Sequence, residues 1–452
     1  MGDAQEASNR HEWLSPMIMR RIRARLPRGV GDAAHDSAWT LAFEACLILI
    51  ITASFLMLGR QLGPAGYGEY VGLFAIITPV SAIGSAAALA TLQACFQEGR
   101  PVDFVVGAFL KLVVLGGILA TLIVAFVAPL ILDDLTMLAI VTIALSELVM
   151  VPAVRVMAGS IRVAAGVPAE VRSQMVMLFG RFSVLVILFA TDTLTVERLG
   201  VGWLLATSVV AVFLLVIHLP KFGIHVRRAS TSFKDLKTVV QLGAPIYVSD
   251  FQTNGDKLVL NGAGLQAEAG LYGAAWRIAN MTLTPLRAMN IAVFHRFLTP
   301  DDDERGAHVR RSKKFTFWSI LVIVPIAAVV FVAAPLLVYI VGEEFSESVT
   351  MLRWLMLWVP IRAISLAPLS GLLGLNRLGT RLWILVGSAS ISMVLYIALI
   401  PDMGWEGAVI GTIVSEICLA VLAWGALIWA QRRRDLELAD GLESPASEAA
   451  LG

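Results

Sequence analysis

Charge is scarce in this chain. Asp, Glu, Lys and Arg make up 15% of its 452 residues, against about a quarter in ordinary soluble domains, which excludes that class. The formal net charge of +1 hides a strong asymmetry between loops and names no partner; no nucleic acid is expected. Cysteine is nearly missing as well. Cys46, Cys95 and Cys418 lie far apart, in or beside apolar stretches, with no CxxC pair and no His neighbour. That excludes a disulfide framework or a zinc site, and the three read as small buried hydrophobes. Catalytic signatures are absent too: there is no HExxH, Walker A, GxSxG or dinucleotide fingerprint, so no enzyme is expected. Asp301-Asp302-Asp303-Glu304 has the acidity of a metal-binding DxD, but in a basic loop with no nucleotide domain it reads as a solvated turn.

What fills the chain is apolar sequence, 58% of all residues. It falls into twelve stretches: 39–58, 68–92, 104–130, 135–158, 174–190, 200–219, 238–262, 268–293, 315–341, 349–373, 380–400 and 405–430. A hydrocarbon core about 30 Å thick takes about twenty apolar helical residues to cross. The pattern predicts an all-α integral membrane protein of about twelve transmembrane helices. Internal Gly and Pro, such as Pro79, Pro152, Pro245, Pro285, Pro360 and Pro368, suit kinks and close packing in membrane helices. The first span follows a long polar head and reads as an uncleaved signal-anchor.

Loop charge sets the expected orientation. One side collects the arginines at 20–28, then Arg100, Arg162, Arg172, the cations at 221–237 and 305–314, Arg377, Arg381 and Arg432 to Arg434. The other has little beyond Arg60 and Arg198 and is acidic, with Asp133, Asp134, Asp192, Glu268, Glu343, Glu344, Glu347, Asp402 and Glu406. The positive-inside rule then places both termini in the cytoplasm, and an even number of spans is needed for this alternation. Residues 11–28 read either as a basic amphipathic helix on the anionic leaflet or as a basic tail that only sets topology. The Glu-, Ala- and Ser-rich end from about Asp435 is expected to be disordered.

A weak repeat joins Gly68-Glu69-Tyr70 at the second span to Gly270-Leu271-Tyr272 at the eighth, an offset of half the membrane core. With six spans per half the repeat is parallel. The expected organisation is a basic N-terminal segment (1–38), a first lobe (39–219), a cytoplasmic loop (220–237), a second lobe (238–430) and a tail (431–452), the lobes related by a pseudo-two-fold.

Polar residues inside the spans are costly there and mark function. In the seventh span Tyr247, Asp250, Asn254, Lys257 and Asn261 recur at spacings that share one helix face. Arg277, Asn280, Thr284 and Arg287 keep the same rhythm in the eighth, extended by Asn290. These stripes face either a hydrated cavity or a structural polar seam. Glu147, Glu416 and Arg362 also sit near mid-span; each carboxylate is a proton-coupling group or the partner of a buried arginine. Glu44, Lys111, Arg181 and Arg353 lie nearer an edge, where interfacial anchoring accounts for them. Thr78, Ser81 and Ser85 form a hydroxyl face that lines a polar path or hydrogen-bonds within the bundle.

Two stretches carry a family resemblance. Gly59-Arg60-Gln61-Leu62-Gly63-Pro64-Ala65-Gly66-Tyr67-Gly68-Glu69-Tyr70 resembles the R-x-LGP-x-x-YG-x-Y signature of polysaccharide exporters in the multidrug/oligosaccharidyl-lipid/polysaccharide (MOP) superfamily. The run from Asn254 to Leu260, with Ala269 to Ala275 after it, is similar to that family's D-K-x-x-L … G-x-Y-x-x-A passage. The resemblance implies a MATE-like fold and a flippase for polyprenyl-pyrophosphate-linked oligosaccharides, such as O-antigen, capsule or exopolysaccharide units, in a bacterial cytoplasmic membrane. It implies a monomer among membrane lipids, open to glycan polymerase or glycosyltransferase partners, with no cofactor but with coupling to Na⁺, H⁺ or the membrane potential. Lys257, Arg277, Arg287 and Arg362 are then the candidates for pyrophosphate, with Asn254, Asn280 and Tyr247 beside them. Arg60 either touches phosphate or pins a helix end. Asp250 and Asp256 align these cations or bind a coupling cation. The rival on the same fold is a MATE-type cation-coupled multidrug exporter. A membrane polysaccharide polymerase or ligase is disfavoured, because every outer loop is short.

Overall fold

Proline and glycine punctuate the helices where the sequence places them. The computed structural model describes residues 30–132, 135–227, 231–298, 306–375 and 377–442. The segment at 11–28, the acidic turn at 301–304 and the end from 443 lie outside these residues. The first long helical stretch, Val30–Phe96, is broken at Gly63 (φ 66°, ψ 178°), a conformation open essentially to glycine alone. Pro64 follows at a helix start, where its missing N–H costs nothing. We therefore separate α1 (30–62) from α2 (63–96). Then come α3 (Val102–Val127), α4 (Met137–Ala165), α5 (Val167–Ala190) and α6 (Val196–Lys221). They are followed by α7 (Phe233–Gly262), α8 in two segments (Gln266–Thr282 and Thr284–Leu298) and α9 (Ala307–Ala333). The last are α10 (Glu347–Gly374), α11 (Leu378–Met403) and α12 (Trp405–Leu442).

Among the described residues nine helical stretches are long and apolar enough to cross a membrane. The first of these contains two helices; α7 falls short because it carries its polar stripe, and α8 because it is also divided into segments of 17 and 15 residues. Twelve membrane-length helices and no strand result among the described residues, as the apolar pattern predicts. One expectation fails at the end. The chain is helical to Leu442 rather than disordered from Asp435. Asp435 accepts from Gln431 Nε2 one turn earlier (2.8 Å) and from the Gly306 N–H (3.4 Å), and Arg434 meets His308 at 3.1 Å. These contacts hold the extra turns on the start of α9.

By its packing the chain forms two compact units. One comprises residues up to Leu62 and Ile76–Tyr247; the other comprises Gly63–Ala75 and everything from Val248. The first is cored by Phe109, Val154, Met157 and Ile161, the second by Leu372, Leu419 and Leu427. The division falls at Tyr247 rather than within the loop at 220–237. Arg100 binds Asp235 (2.5 Å), Lys234 binds Glu98 (3.1 Å), and Asp103 accepts from the His225 N–H (3.1 Å). These contacts fasten the loop and the first turns of α7 to α3. Burial pushes the Asp235 carboxyl upward, but hydrogen bonds from Arg100 and the Ser232 N–H outweigh it and hold it below the usual carboxylate range.

Residues 63–75 belong with the second unit for a steric reason. A Cβ on Gly68 would fall 1.8 Å from the Gln266 carbonyl oxygen, and one on Gly270 would fall 1.9 Å from that of Pro64. Only glycine lets these backbones touch. Tyr67 beside it meets Phe345 edge-on at 6.4 Å. The two stretches that carry the family resemblance thus pack on each other.

Candidate functional site

A cavity lies in the second unit, lined from α7, α8, α10, α11 and α12, and α7, α8 and α10 carry internal prolines. Pro285 breaks α8 between its two segments, since it offers no N–H to the carbonyl four residues earlier. Pro245 lies inside α7, and Pro360 and Pro368 inside α10. The cavity measures about 280 Å³. Its wall includes Asp250 and Gln252 of α7, Asn280 and Arg287 on either side of the α8 break, and Arg362 of α10. Tyr396 of α11 and Glu416 of α12 complete it, with Trp276 and Trp358 adding indole faces. Discontinuous helices are a recurrent way to expose polar groups at membrane depth.

Electrostatically the wall is paired in part. Glu416, 3% exposed, accepts from Arg362 Nη1 at 3.1 and 3.2 Å, from Trp358 Nε1 at 3.4 Å and from Ser365 Oγ. Three donors satisfy its lone pairs, and this arrangement fits a carboxylate that fixes an arginine. Arg287 Nη2 donates to Asn280 Oδ1, so a neutral amide orients that guanidinium at the wall. Asp250 has no ion-pair partner among the described residues. Gln252 Nε2 donates to Ser388 Oγ (2.8 Å), and the hydroxyls of Tyr396 and Thr412 lie 2.9 Å apart. Amide, hydroxyl and aromatic groups around two arginines can hold an anionic, hydroxyl-rich molecule.

Lys257 differs from its expected place. It is 3% exposed and absent from the cavity wall. Its Nζ donates to Asp256 Oδ1 (2.7 Å) and the Thr253 carbonyl (2.8 Å) and stands 4.2 Å from the centre of the Trp276 ring. The cause is Asp256, fully buried one residue away and off the polar stripe. Asp256 therefore aligns a cation, but the pair is dry. The amides of the stripe are spent locally too: Asn254 Nδ2 donates to the Asp250 carbonyl and Asn261 Nδ2 to that of Lys257, both at 2.8 Å. Asn254, Tyr247 and Arg277 do not line the cavity; Tyr247 is exposed and Arg277 half-buried. Arg60 is exposed, in the first unit.

The first unit holds its own charge cluster. Glu147 pairs with Arg181, whose guanidinium lies 4.2 Å from the Trp203 ring centre. Glu147 sits in a π-helical turn, Ser146–Met150, next to Pro152, a distortion frequent at functional positions. Arg155, which the spacing argument overlooked, donates to Ser85 Oγ and has no carboxylate at ion-pair distance among the described residues. The available signal was an arginine well inside a span with no acid one turn away. Ser85 thus holds an arginine, while Ser81 Oγ donates to its own helix at Thr78 (2.9 Å).

The fold is similar to that of solved MATE transporters of the MOP superfamily, and the described residues form an all-helical arrangement of helices long and apolar enough to cross a membrane several times. An inward-facing multidrug resistance MATE transporter matches with a TM-score of 0.67 at 15% identity, covering 85% of this chain and 94% of that one. An outward-facing counterpart gives 0.61 at 17% identity, covering 88% and 95%. A MOP superfamily transporter from Pyrococcus furiosus gives 0.56 at 15%, covering 88% and 94%. No protein-family model and no curated sequence matches the chain.

Proposed function

We propose that this protein is a flippase that moves polyprenyl-pyrophosphate-linked oligosaccharide units across a bacterial cytoplasmic membrane by alternating access, with both termini in the cytoplasm. The observation that carries this reading is the composition of the cavity wall, where Arg287 and Arg362 stand with Trp276, Trp358 and Tyr396. A diphosphate cannot enter hydrocarbon bare, and guanidinium groups replace its lost hydration with bidentate, charge-assisted bonds. Aromatic faces and the amides of Gln252 and Asn280 suit the rings and hydroxyls of sugars. Arg155, held by the Ser85 hydroxyl, is a third guanidinium, in the other unit and outside this cavity. The fold does not itself choose the cargo. In the Pyrococcus furiosus transporter a reversed polarity of the binding pocket suggests a different function for that protein.

Asp250 favours a second reading, a MATE-type exporter that drives cationic drugs against Na⁺ or H⁺, because a carboxylate without an ion-pair partner among the described residues lines the same wall. Purified protein in vesicles separates the two, assayed with a fluorescent polyprenyl-pyrophosphate oligosaccharide and with a cationic dye. The lipid-linked glycan is expected to cross, and Arg287→Gln to slow it at least about tenfold, the loss of one charge-assisted contact of about 1.5–3 kcal/mol. Transport of the dye alone, abolished by Asp250→Asn, overturns the flippase.

A further inference from the structure

The first unit contains a groove that the transport reading leaves unused. It measures about 250 Å³ and is walled almost wholly by apolar groups from α2, α3, α4 and the start of α7. Its charged group is Lys111. The residue stands nine positions after Val102, about 13 Å along α3 at 1.5 Å per residue, and its ammonium has no ion pair or hydrogen bond among the described residues. A lysine this far along a membrane-length helix, without an acidic partner among the described residues, marks a site for a ligand.

The neighbouring glycines show how the groove stays open. A Cβ on Gly117 would fall 2.2 Å from the Leu148 carbonyl oxygen, so Gly117 is where α3 and α4 press together. Gly116, one residue before, has nothing within 4 Å of an added Cβ. Its bare backbone is floor rather than contact. Leu115, also on the wall, is 59% exposed and continues into Leu119, Leu122 and Ile123 on the outer face of α3. In a membrane protein that face meets acyl chains, so the groove opens on hydrocarbon with a cation at one end.

The geometry points to one occupant, an anionic phospholipid with its phosphate on the Lys111 ammonium, near the Thr231 hydroxyl, and one acyl chain laid over Gly116 against Leu115 and Leu148. Charge complementarity selects the head, and continuity with the lipid-facing surface selects the chain. A lysine that merely anchors a helix end by reaching to the interface needs no groove and no anionic head, and so differs in its test.

Full-length protein in detergent, given phosphatidylglycerol or phosphatidylcholine of equal chain length, is examined by native mass spectrometry. One phosphatidylglycerol per chain is expected to survive on the wild type in preference to phosphatidylcholine. Lys111→Gln should lower its retention about fivefold, the weight of one lysine against an anionic headgroup. Lys111→Arg should keep it, which separates the effect from misfolding. Gly116→Leu, whose Cβ meets nothing within 4 Å, should expel both lipids. The proposal is overturned by equal retention of the two lipids on the wild type, or by Lys111→Gln and Gly116→Leu retaining phosphatidylglycerol like the wild type. It is also overturned by a wild-type dimer that Gly116→Leu dissociates, because a second copy would then fill the groove.

Discussion

At the scale of single residues, every deep charge in this chain has to be accounted for against hydrocarbon, and the accounts differ. Arg362 and Glu416 come from helices 54 positions apart in sequence, a pairing that no spacing rule reveals. Lys257 and Asp256 are adjacent in sequence, yet helical periodicity places them on different faces and hides the bond. Periodicity reports which residues share a face, not which neighbour draws a long side chain aside. The stripe in α7 was therefore legible as polar, while its division into cavity-lining Asp250 and sealed Lys257 was not. The sealed pair makes a sharp prediction. Lys257→Met leaves Asp256 buried without its counter-charge and should destabilise the protein by about 3–5 kcal/mol, read as a large drop in the midpoint of unfolding in detergent. Adding Asp256→Asn should recover much of that loss, since removing both charges avoids the orphan. A single Lys257→Met variant as stable as the wild type would show that the pair is solvated.

Among elements, the boundaries follow proline and glycine closely, so the helix inventory was readable in advance. What the letters did not show is how the segment after Gly63 is employed. Both resemblance motifs are glycine-bearing helix starts, and their meaning becomes physical once Gly68 and Gly270 are seen back to back. A methyl group at either position collides with a carbonyl oxygen, not with a flexible side chain, so the cost is backbone displacement. Gly270→Ala is expected to destabilise by about 1–3 kcal/mol, the usual range for overpacking. Gly379→Ala, in the first turn of α11 with nothing within 4 Å of its added Cβ, should be neutral or slightly stabilising, because alanine favours the helix. Comparing the two by thermal unfolding isolates the contact from helix propensity. Equal effects would mean that the close approach does not persist in the membrane.

For the whole molecule, helix number and loop charge are coupled. Twelve crossings return the chain to the side from which it started, whichever side that is, and eleven or thirteen would not. The count rests on two decisions that hydropathy alone leaves open: dividing the first helical stretch at Gly63, and admitting α7 and α8 despite their polar stripes. Leaving the first stretch undivided would move every later loop to the opposite side, and admitting only one of α7 and α8 would do the same to every loop after α8. The first change would part the cations at 221–237 and 305–314 from the arginines at 20–28, and the second would part those two loops from each other, against the bias that directs insertion. In a variant with Cys46, Cys95 and Cys418 replaced by alanine, single cysteines are placed at Ser37, Thr193, His225, Asp402 and Arg433. A membrane-impermeant thiol reagent applied to intact cells should label positions 193 and 402. Positions 37, 225 and 433 should react only after the membrane is opened. Labelling of position 37 without position 433 would break the even count, and labelling of only one of positions 225 and 433 would show that an odd number of the helices from α7 to α12 crosses.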